Sequence, residues 1–558
     1  MLIGIDLGTT HSAIALYRDG ETQLIPNALG HLLTPSAISV DESGRVLVGL
    51  AARERLSTHP QSTAVAFKRW MGTERRLQLG GREYRAEELS ALVLKTLKAD
   101  AEAYLGQAVE QAVITVPAYF NQAQRRATQA AAELAGLRVE RLLNEPTAAG
   151  LAYGLQERAD HSTFLVFDLG GGTFDVSVLE YFDGVVQVRS SAGDTRLGGE
   201  DFSHALGTFF LARRKDLSAA QSKALQAAGS LWRAAEQAKR DLSEQRETNM
   251  RVVLDGRELS ETLTREDLEQ ASTELLQRLR RPIERALRDA RLKPDELTEV
   301  VLVGGATRMP IVRQLVTRLF QRLPLRTINP DETIARGAAI QAALCARHAA
   351  LDEVVLTDVM PYSLGVGMVH DRYSPIIERN MPVPISRVGY YCTVRDGQTQ
   401  ITLDVRQGES PVASENLLLG ELSIEVPSKP AGEAHVEVRF SYDHNGLLVV
   451  DVKDPASGRM VNRVIRQRDD GLDEAGLKAA LAALDRIKLH PREQQDNRYL
   501  IERAKRLYED RLGEERMAIQ EALSAFQQAL DTQDPEQAER ARERFRSFLD
   551  SIDKGFVL

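Results

Sequence analysis

Apolar residues come in dense blocks over roughly the first 345 positions and in alternation after them. The blocks MLIGIDLG, QAVITVP, TFLVFDLGG and EVVLVGGA are short and rich in β-branched residues, as strands buried on both faces are. Between them, QAQRRATQAAAELAG (122–136) and AIQAALCARHAA have helical texture, the first closed by Gly136. Strands alternating with helices predict an α/β region. Near 349–358 the texture changes: AALDEVVLTD joins a helix end to a short apolar strip flanked by acids. From 359 to about 465 strand signals dominate. In QITLDVR, Ile401, Leu403 and Val405 share one face and Thr402, Asp404 and Arg406 the other. In VEVRFSYDHNGLLVVDV, Asn445-Gly446 between two alternating runs predicts a hairpin. From about 471 glycine is scarce. LKAALAALDRIK and RAKRLYEDRLGEERMAIQEALSAFQQAL predict charged helices, with one break at Asp531–Pro535.

Composition narrows the class. A length of 558 residues suggests about three or four domains. The net charge of -9 argues against a nucleic-acid or anionic-membrane surface as the main business. Two distant cysteines, Cys345 and Cys392, exclude a disulfide framework or a cysteine-rich zinc site and point to a reducing, cytoplasmic setting. The N-terminal MLIGIDLGTTHS lacks a basic leader segment and carries Asp6, so a signal peptide is not expected. No stretch approaches the ~18 apolar residues of a membrane span.

The chemistry sits in an internal echo. IGIDLGTTHSAIAL (3–16) and LVFDLGGGTFDVSVL (165–179) share a strand, Asp-Leu-Gly, small residues and a second strand. Such an echo suggests two related halves facing one ligand. Glycines after a strand let backbone N–H groups approach an anion, and Thr9, Thr10 and Thr173 add hydroxyls. An aspartate beside a phosphate is repulsive unless a cation sits between them. Asp6, Asp168 and Asp175 therefore imply a magnesium–nucleotide site, although each Asp-Leu-Gly alone also reads as an ordinary turn. The usual phosphate loops are absent, since Gly-Lys never occurs and there is no G-x-G-x-x-G. A third element, VLVGGATRMP (301–310), offers Gly304 and Gly305 to a flat base or ribose and Arg308 to stack on it, or is a plain strand–helix turn.

Taken together, these strings resemble the seventy-kilodalton heat-shock (DnaK-type) chaperone family over nearly the whole chain. GIDLGTTHS, FKRWMG, VITVPAYFNQAQRRAT, NEPTAAGLAYG, VFDLGGGTFDVSVL, GGEDF, AAEQAKRDLS, VLVGGATRMP, NPDETIARGAAIQAA, DVMPYSLGV and VRQGE recur in the family's order. The short lid and SPIIERN resemble its HscC-type subgroup. The resemblance implies an actin-like α/β ATPase domain (1–348), an interdomain linker (349–358), a β-sandwich peptide-binding domain (359–470) and a C-terminal α-helical lid (471–558). It implies an ATP-dependent chaperone that hydrolyses ATP to ADP and phosphate, with Mg2+ and K+ as ions. Asp6 and Asp168 would hold magnesium through waters, and Asp175 with Asp6 and Thr173 would suit potassium. Gly8, Thr9, Thr10, Gly170, Gly171, Gly172 and Thr173 would cradle phosphates, with Gly198 and Gly199 nearby. Lys68 would orient the attacking water and Glu145 would sense the γ-phosphate, Pro146 keeping Asn144–Glu145 extended. Glu236, Lys239 and Ser243 would meet the adenosine, opposite Gly304, Gly305, Arg308 and Asp331. Without the resemblance, Lys68 reads as a solvated helix residue and Glu236–Lys239 as a surface ion pair.

Pro117 and Arg125 resemble the family's relay between nucleotide and peptide sites, and the resemblance implies that the strip Val354–Val355–Leu356 and the lid dock on the nucleotide domain and open the peptide site when ATP is bound. Val366, Val369, Tyr391, Val394 and Val405 would line the peptide pocket, although alternating valines are also what a strand core contains. Implied partners are unfolded or extended client polypeptides and a J-domain co-chaperone, with no nucleic acid and no membrane. The departures are His11 for asparagine, Thr357 for leucine in the linker, and a shortened SEQRETNMRVVLDGRELSETL, which leaves a GrpE-type exchange factor in doubt. The ending DKGFVL has no acidic tail for tetratricopeptide cochaperones. A phosphotransferase or a nucleotide-switch protein of the actin-like superfamily is the alternative. The β region after an apolar linker argues against it, as does the lack of an evident sugar-binding acid.

Overall fold

The computed structural model describes residues 1–157, 161–182, 185–227, 229–254, 256–325, 329–346, 355–443, 448–464, 491–511, 513–531 and 535–554. Two sheets carry the first part of the chain. The first runs in the order 138–144, 111–116, 2–6, 11–18, 21–25, with 34–35 added to the fourth strand. The second runs 299–303, 161–169, 174–182, 185–194, 355–359, 382–383. The sequence echo is an echo of topology. Leu2–Asp6 lies antiparallel to His11–Arg18 and parallel to Gln111–Val116. His161–Leu169 lies antiparallel to Phe174–Phe182 and parallel to Glu299–Val303. Each Asp-Leu-Gly therefore occupies the turn of an equivalent hairpin, and the two turns face each other.

The helices are α1 (Leu50–Thr58), α2 (Ala86–Leu105), α3 (Gln122–Leu134), α4 (Glu145–Glu157), α5 (Gly199–Arg213), α6 (Ala219–Ala227), α7 (Gly229–Glu244), α8 (Arg265–Ala271), α9 (Thr273–Ala290), α10 (Pro310–Phe320) and α11 (Thr333–Cys345). Helix α3 ends where the sequence places it, with Gly136 at φ +70°. Helices α1 to α3 belong to the first lobe, and α5 to α10 to the second. Helices α4 and α11 pack together between them over Val113 and Leu143 of the first sheet and Val166 and Val301 of the second. This apolar joint closes the base of a cleft. The close approach of α11 to the first sheet depends on Gly4, where a Cβ would lie 2.2 Å from the Ala339 backbone nitrogen.

The apolar strip is a strand. Val355–Val359 runs parallel to Val185–Asp194, pairing Leu356 with Val186 and Thr357 with Gln187, and its far end pairs with Pro382–Val383. Val354 lies outside the described residues. Beyond it, two four-stranded antiparallel sheets face each other: 372–377, 364–368, 400–407, 417–425 and 385–392, 435–442, 448–453, 460–464. Ile401, Leu403 and Val405 point into the shared core with Val436, Val438 and Phe440, as the alternation predicts. The strands flanking Asn445-Gly446 are antiparallel, while the turn itself lies outside the described residues. So does LKAALAALDRIK.

The C-terminal helices α12 (Pro491–Asp510), α13 (Gly513–Asp531) and α14 (Pro535–Lys554) pack around Leu500, Leu507, Ile519, Phe526, Phe545 and Leu549. The run the sequence suggests is one helix over 503–530 is two: α12 ends at Asp510 and α13 begins at Gly513, at φ +62°. Among the described residues no helix is long and apolar enough to cross a membrane.

Candidate functional site

Between the lobes lies a cleft of about 450 Å³. Its walls hold Asp6, Gly8, Thr9, Thr10, Lys68, Glu145, Asp168, Gly170, Gly171, Thr173 and Gly199. Toward one end stand Glu236, Lys239 and Ser243 of α7, facing Gly304, Gly305, Arg308 and Asp331. The structure thus brings together residues from eight of the quoted motifs, while VITVPAYFNQAQRRAT, DVMPYSLGV and VRQGE lie outside the cleft lining. The two glycine turns meet directly: a Cβ on Gly171 would fall 1.4 Å from Thr10 Oγ1.

Lys68 is not the solvated helix residue its sequence surroundings suggest. It sits in the tight turn Phe67–Trp70, is 3% exposed, and donates to Glu145 Oε1 at 2.6 Å. Glu145 is likewise buried and opens α4. The extended stretch expected before Pro146 therefore reaches only Asn144. Pro146 falls in the first turn of α4, where its missing N–H leaves nothing unpaired.

The carboxylates around Lys68 are crowded and dry. Burial and then Glu145 push Asp6 up to about 7, even though Thr115 donates to its Oδ1 at 3.0 Å. Burial, Glu145, Asp175 and Asp6 push Asp168 well above the ordinary range. Asp168 Oδ2 and Thr10 Oγ1 are buried without a hydrogen-bond partner. Polar atoms are seldom left so. Clustered acids, orphaned oxygens and glycine backbone together fit a divalent cation carrying phosphates.

Three predicted residues stand behind the cleft instead of lining it. Asp175 is 1% exposed, is pushed by burial and Glu145 to about 8, and accepts the Tyr119 N–H at 3.1 Å. It pairs with Asp168 in register across the hairpin, so the two carboxylates share a face and each raises the cost of the other's charge, but the Asp175 carboxylate is taken up by the Tyr119 N–H and stays out of the cleft lining. Gly172 and Gly198 are packing glycines: a Cβ on Gly198 would lie 2.4 Å from Gly172 N.

At the other end, Glu236 and Lys239 are both an ion pair (2.5 Å) and cleft residues. Burial opposes the Glu236 charge, but Lys239 and Arg240 outweigh it and hold the carboxyl at about 2. Ser203 also donates to it at 2.6 Å, and Lys239 donates to Gly199 O at 2.8 Å. Arg308 is held by Asp331 (2.6 Å) and Asn329 (3.1 Å), with half its side chain exposed. His11 lines the cleft 3.5 Å from Arg53, and burial with Arg53 and Arg240 pulls it down to about 3, so it is neutral.

Sequence reasoning missed several contributors. Glu200 lines the cleft and is pushed by burial to about 7. Arg240, one turn beyond Glu236, lines it too. Arg69 clasps Asp201 at 2.5 Å, joining the Lys68 turn to α5 in the other lobe. The signal was adjacency: each neighbours a residue already singled out.

Pro117 follows the strand Gln111–Val116, and Arg125 binds Ala118 O, Phe120 O and Asn144 Oδ1. Asn144 in turn donates to Asp358 Oδ2 at 2.7 Å. Arg125 is thus connected to the strip through the residue next to Glu145. Tyr362, at the start of the β region, donates to Tyr119 O at 3.2 Å.

The five expected peptide-pocket residues do not share one surface. Val366 and Val405 are strand partners and fully buried, because the pleat points both into the core. Tyr391 is part-buried, with its hydroxyl 3.2 Å from Ser374 Oγ, while Val369 and Val394 are exposed. Met368 and Tyr390 are exposed beside them in sequence.

The chain is similar to known proteins over most of its length. A model of the Hsp70 protein family matches residues 2–78 and 73–554. Chaperone protein DnaK of Thermotoga neapolitana is 42% identical over 509 residues, spanning 89% of this chain and 84% of that protein. Those of Thermotoga petrophila and Thermosipho melanesiensis are 42% identical over 479 and 478 residues, each match covering 84% of this chain and 80% of the relative.

Proposed function

This chain belongs to the Hsp70 family, and from that premise we propose how its residues run an ATP-dependent chaperone cycle. It is an ATPase that couples hydrolysis of ATP to ADP and phosphate with binding of unfolded polypeptide. Residues 1–348 are the actin-like ATPase domain, 349–358 the connecting strip, 359–470 the β-sandwich that takes peptide and 471–558 the helical lid. The doubled hairpin topology, the facing antiparallel sheets and the C-terminal helices support this division.

One observation carries the site: buried Asp168 and Glu145 and part-buried Asp6 converge on one lysine beside two unpartnered oxygens and two glycine turns. Backbone N–H groups of 8–10 and 170–173 hold the phosphates. Asp6 and Asp168 would hold Mg2+, which when bound offsets phosphate charge. The Lys68 ammonium, fixed by Glu145, faces the γ-phosphate and orients the attacking water. Glu145 reads the presence of that phosphate, and Asn144 passes the change to Asp358 and Arg125. Asp6 and Thr173, with Asp175 behind them, offer the oxygens a K+ would use. Glu236, Lys239 and Ser243 hold the adenosine against Gly304, Gly305 and Arg308, with Asp331 fixing Arg308. The β-sandwich receives an extended apolar segment, for which the exposed Val369 and Val394 and the part-buried Tyr391 offer apolar surface, while Val366 and Val405 belong to the sandwich core. Clients and a J-domain co-chaperone are its partners, and the cytoplasm is its compartment.

The test is steady-state ATP hydrolysis with and without an unfolded apolar peptide. Slow hydrolysis that peptide accelerates is the expected result. Hydrolysis indifferent to peptide would overturn the coupling and leave the ATPase.

A further inference from the structure

Helix α12 touches both lobes of the nucleotide fold. On the first lobe, its Glu502 accepts from Arg55 of α1 at 3.2 Å, and both side chains are buried. Arg55 is held further by Ser39 at 3.0 Å and Glu42 at 3.1 Å. One turn along α12, Arg506 pairs with Glu54 of α1. One more turn along, Asp510 accepts from Arg233 of α7 on the second lobe, at 2.8 and 2.7 Å to its two oxygens. Arg506 and Asp510 lie 3.6 Å apart. Four charges of alternating sign thus run Glu54, Arg506, Asp510, Arg233 from lobe to lobe across a single helical turn.

We infer that α12 is a strap tying the two lobes together, and that nucleotide leaves only after α12 lets go of the second lobe. The inference rests on the nucleotide cleft proposed above. Arg233 stands three residues before Glu236 on α7, on the helix that carries Glu236, Lys239 and Ser243 into the cleft. A separation of the lobes wide enough to free a ligand moves α7 away from α1, and one ion pair of the chain must then break. The structure says which. Arg55 and Glu502 are 1% and 7% exposed, and Tyr499 packs beside them against the Ala51–Ala52 cluster. Arg233 and Asp510 are 29% and 34% exposed, so water replaces their pairing more readily. The strap stays on the first lobe and parts at Asp510. Arg69–Asp201 already joins the lobes, and α12 adds a second tie that answers to the C-terminal helices. Exchange is then set partly by a segment outside the nucleotide fold.

The experiment uses the full chain loaded with a fluorescent, hydrolysis-resistant ATP analogue, chased with excess ATP. Asp510→Asn and Arg233→Asp should each speed release about two- to five-fold, the scale of a partly exposed pair. The swap Arg233→Asp with Asp510→Arg should return release to near the wild-type rate, which a merely structural disturbance would not do. Wild-type release in both single variants, or a swap that fails to restore it, overturns the strap. A chain that takes up no analogue overturns both the strap and the cleft it rests on.

Discussion

Removing the Lys68 ammonium separates its structural role from its chemical one. Lys68 is the cation that bonds the buried acids here: Glu145 accepts from it at 2.6 Å, and it steadies the ionised forms of Asp6 and Asp168. In Lys68→Ala, Glu145 is left buried, 7% exposed, without that partner. Breaking a buried pair from one side costs about 3–5 kcal/mol, because the remaining charge is uncompensated. The same substitution removes a positioned charge from the reacting phosphate, which costs roughly 10²–10³ in rate. The two losses respond differently to a second change. Glu145→Gln removes the stranded charge, so Lys68→Ala with Glu145→Gln should recover most of the lost stability and none of the lost hydrolysis.

Thermal melting without nucleotide, beside single-turnover ATP hydrolysis, reads the two quantities on the same four proteins. The expected pattern is a strongly lowered melting point in Lys68→Ala, a rise in the double variant, and hydrolysis near background in both. A Lys68→Ala melting point equal to wild type would refute the claim that the ammonium is structurally needed among these acids. Recovery of hydrolysis in the double variant would refute the chemical role.

Three further outcomes follow from other sites. Asp100 is 4% exposed, and burial lifts it to about 7 although it accepts the Ala28 N–H. An acid that holds its proton more tightly when folded loses stability as pH climbs from about 4 to 7, by up to about 4 kcal/mol. Asp100→Asn should therefore raise the melting point at pH 8, with the gain falling by about half at pH 5.5. A gain independent of pH would refute it. Gly198→Ala drives a methyl to within 2.4 Å of Gly172 N, which only a shift of the phosphate turn relieves. Fluorescent-nucleotide titration should show at least a ten-fold loss of affinity. Asp358→Ala removes the acceptor for Asn144 and Thr147, so basal hydrolysis should persist while stimulation by peptide disappears, read in the same ATPase assay.

What could be read from the chain and what could not divide along a physical line. A hairpin turn built on Asp-Leu-Gly is local, so both halves of the cleft stand out as strings, and the structure sets them face to face as the echo suggests. The strand faces of the β region are local too, since alternation alone sends Ile401, Leu403 and Val405 inward. That same alternation hides which apolar residues are left for a ligand. Val366 and Val394 look alike in sequence, yet one is fully buried and the other half exposed. Burial there depends on the opposite sheet, whose register no local pattern reveals. The place of Asp175 is hidden for a related reason. Its neighbours mark it as a site residue, but its carboxylate accepts the N–H of Tyr119, 56 positions away in the chain, a contact that no local string reveals. The contacts of α12 are the least legible of all. Glu54, Arg233, Arg506 and Asp510 are ordinary charges on ordinary helices, and more than 270 positions separate Arg233 from Asp510. Only the packing of three separate parts of the chain makes them neighbours. The nucleotide chemistry is therefore written in short strings. The control exerted on it by the rest of the molecule is written in single charged residues that acquire meaning only after folding.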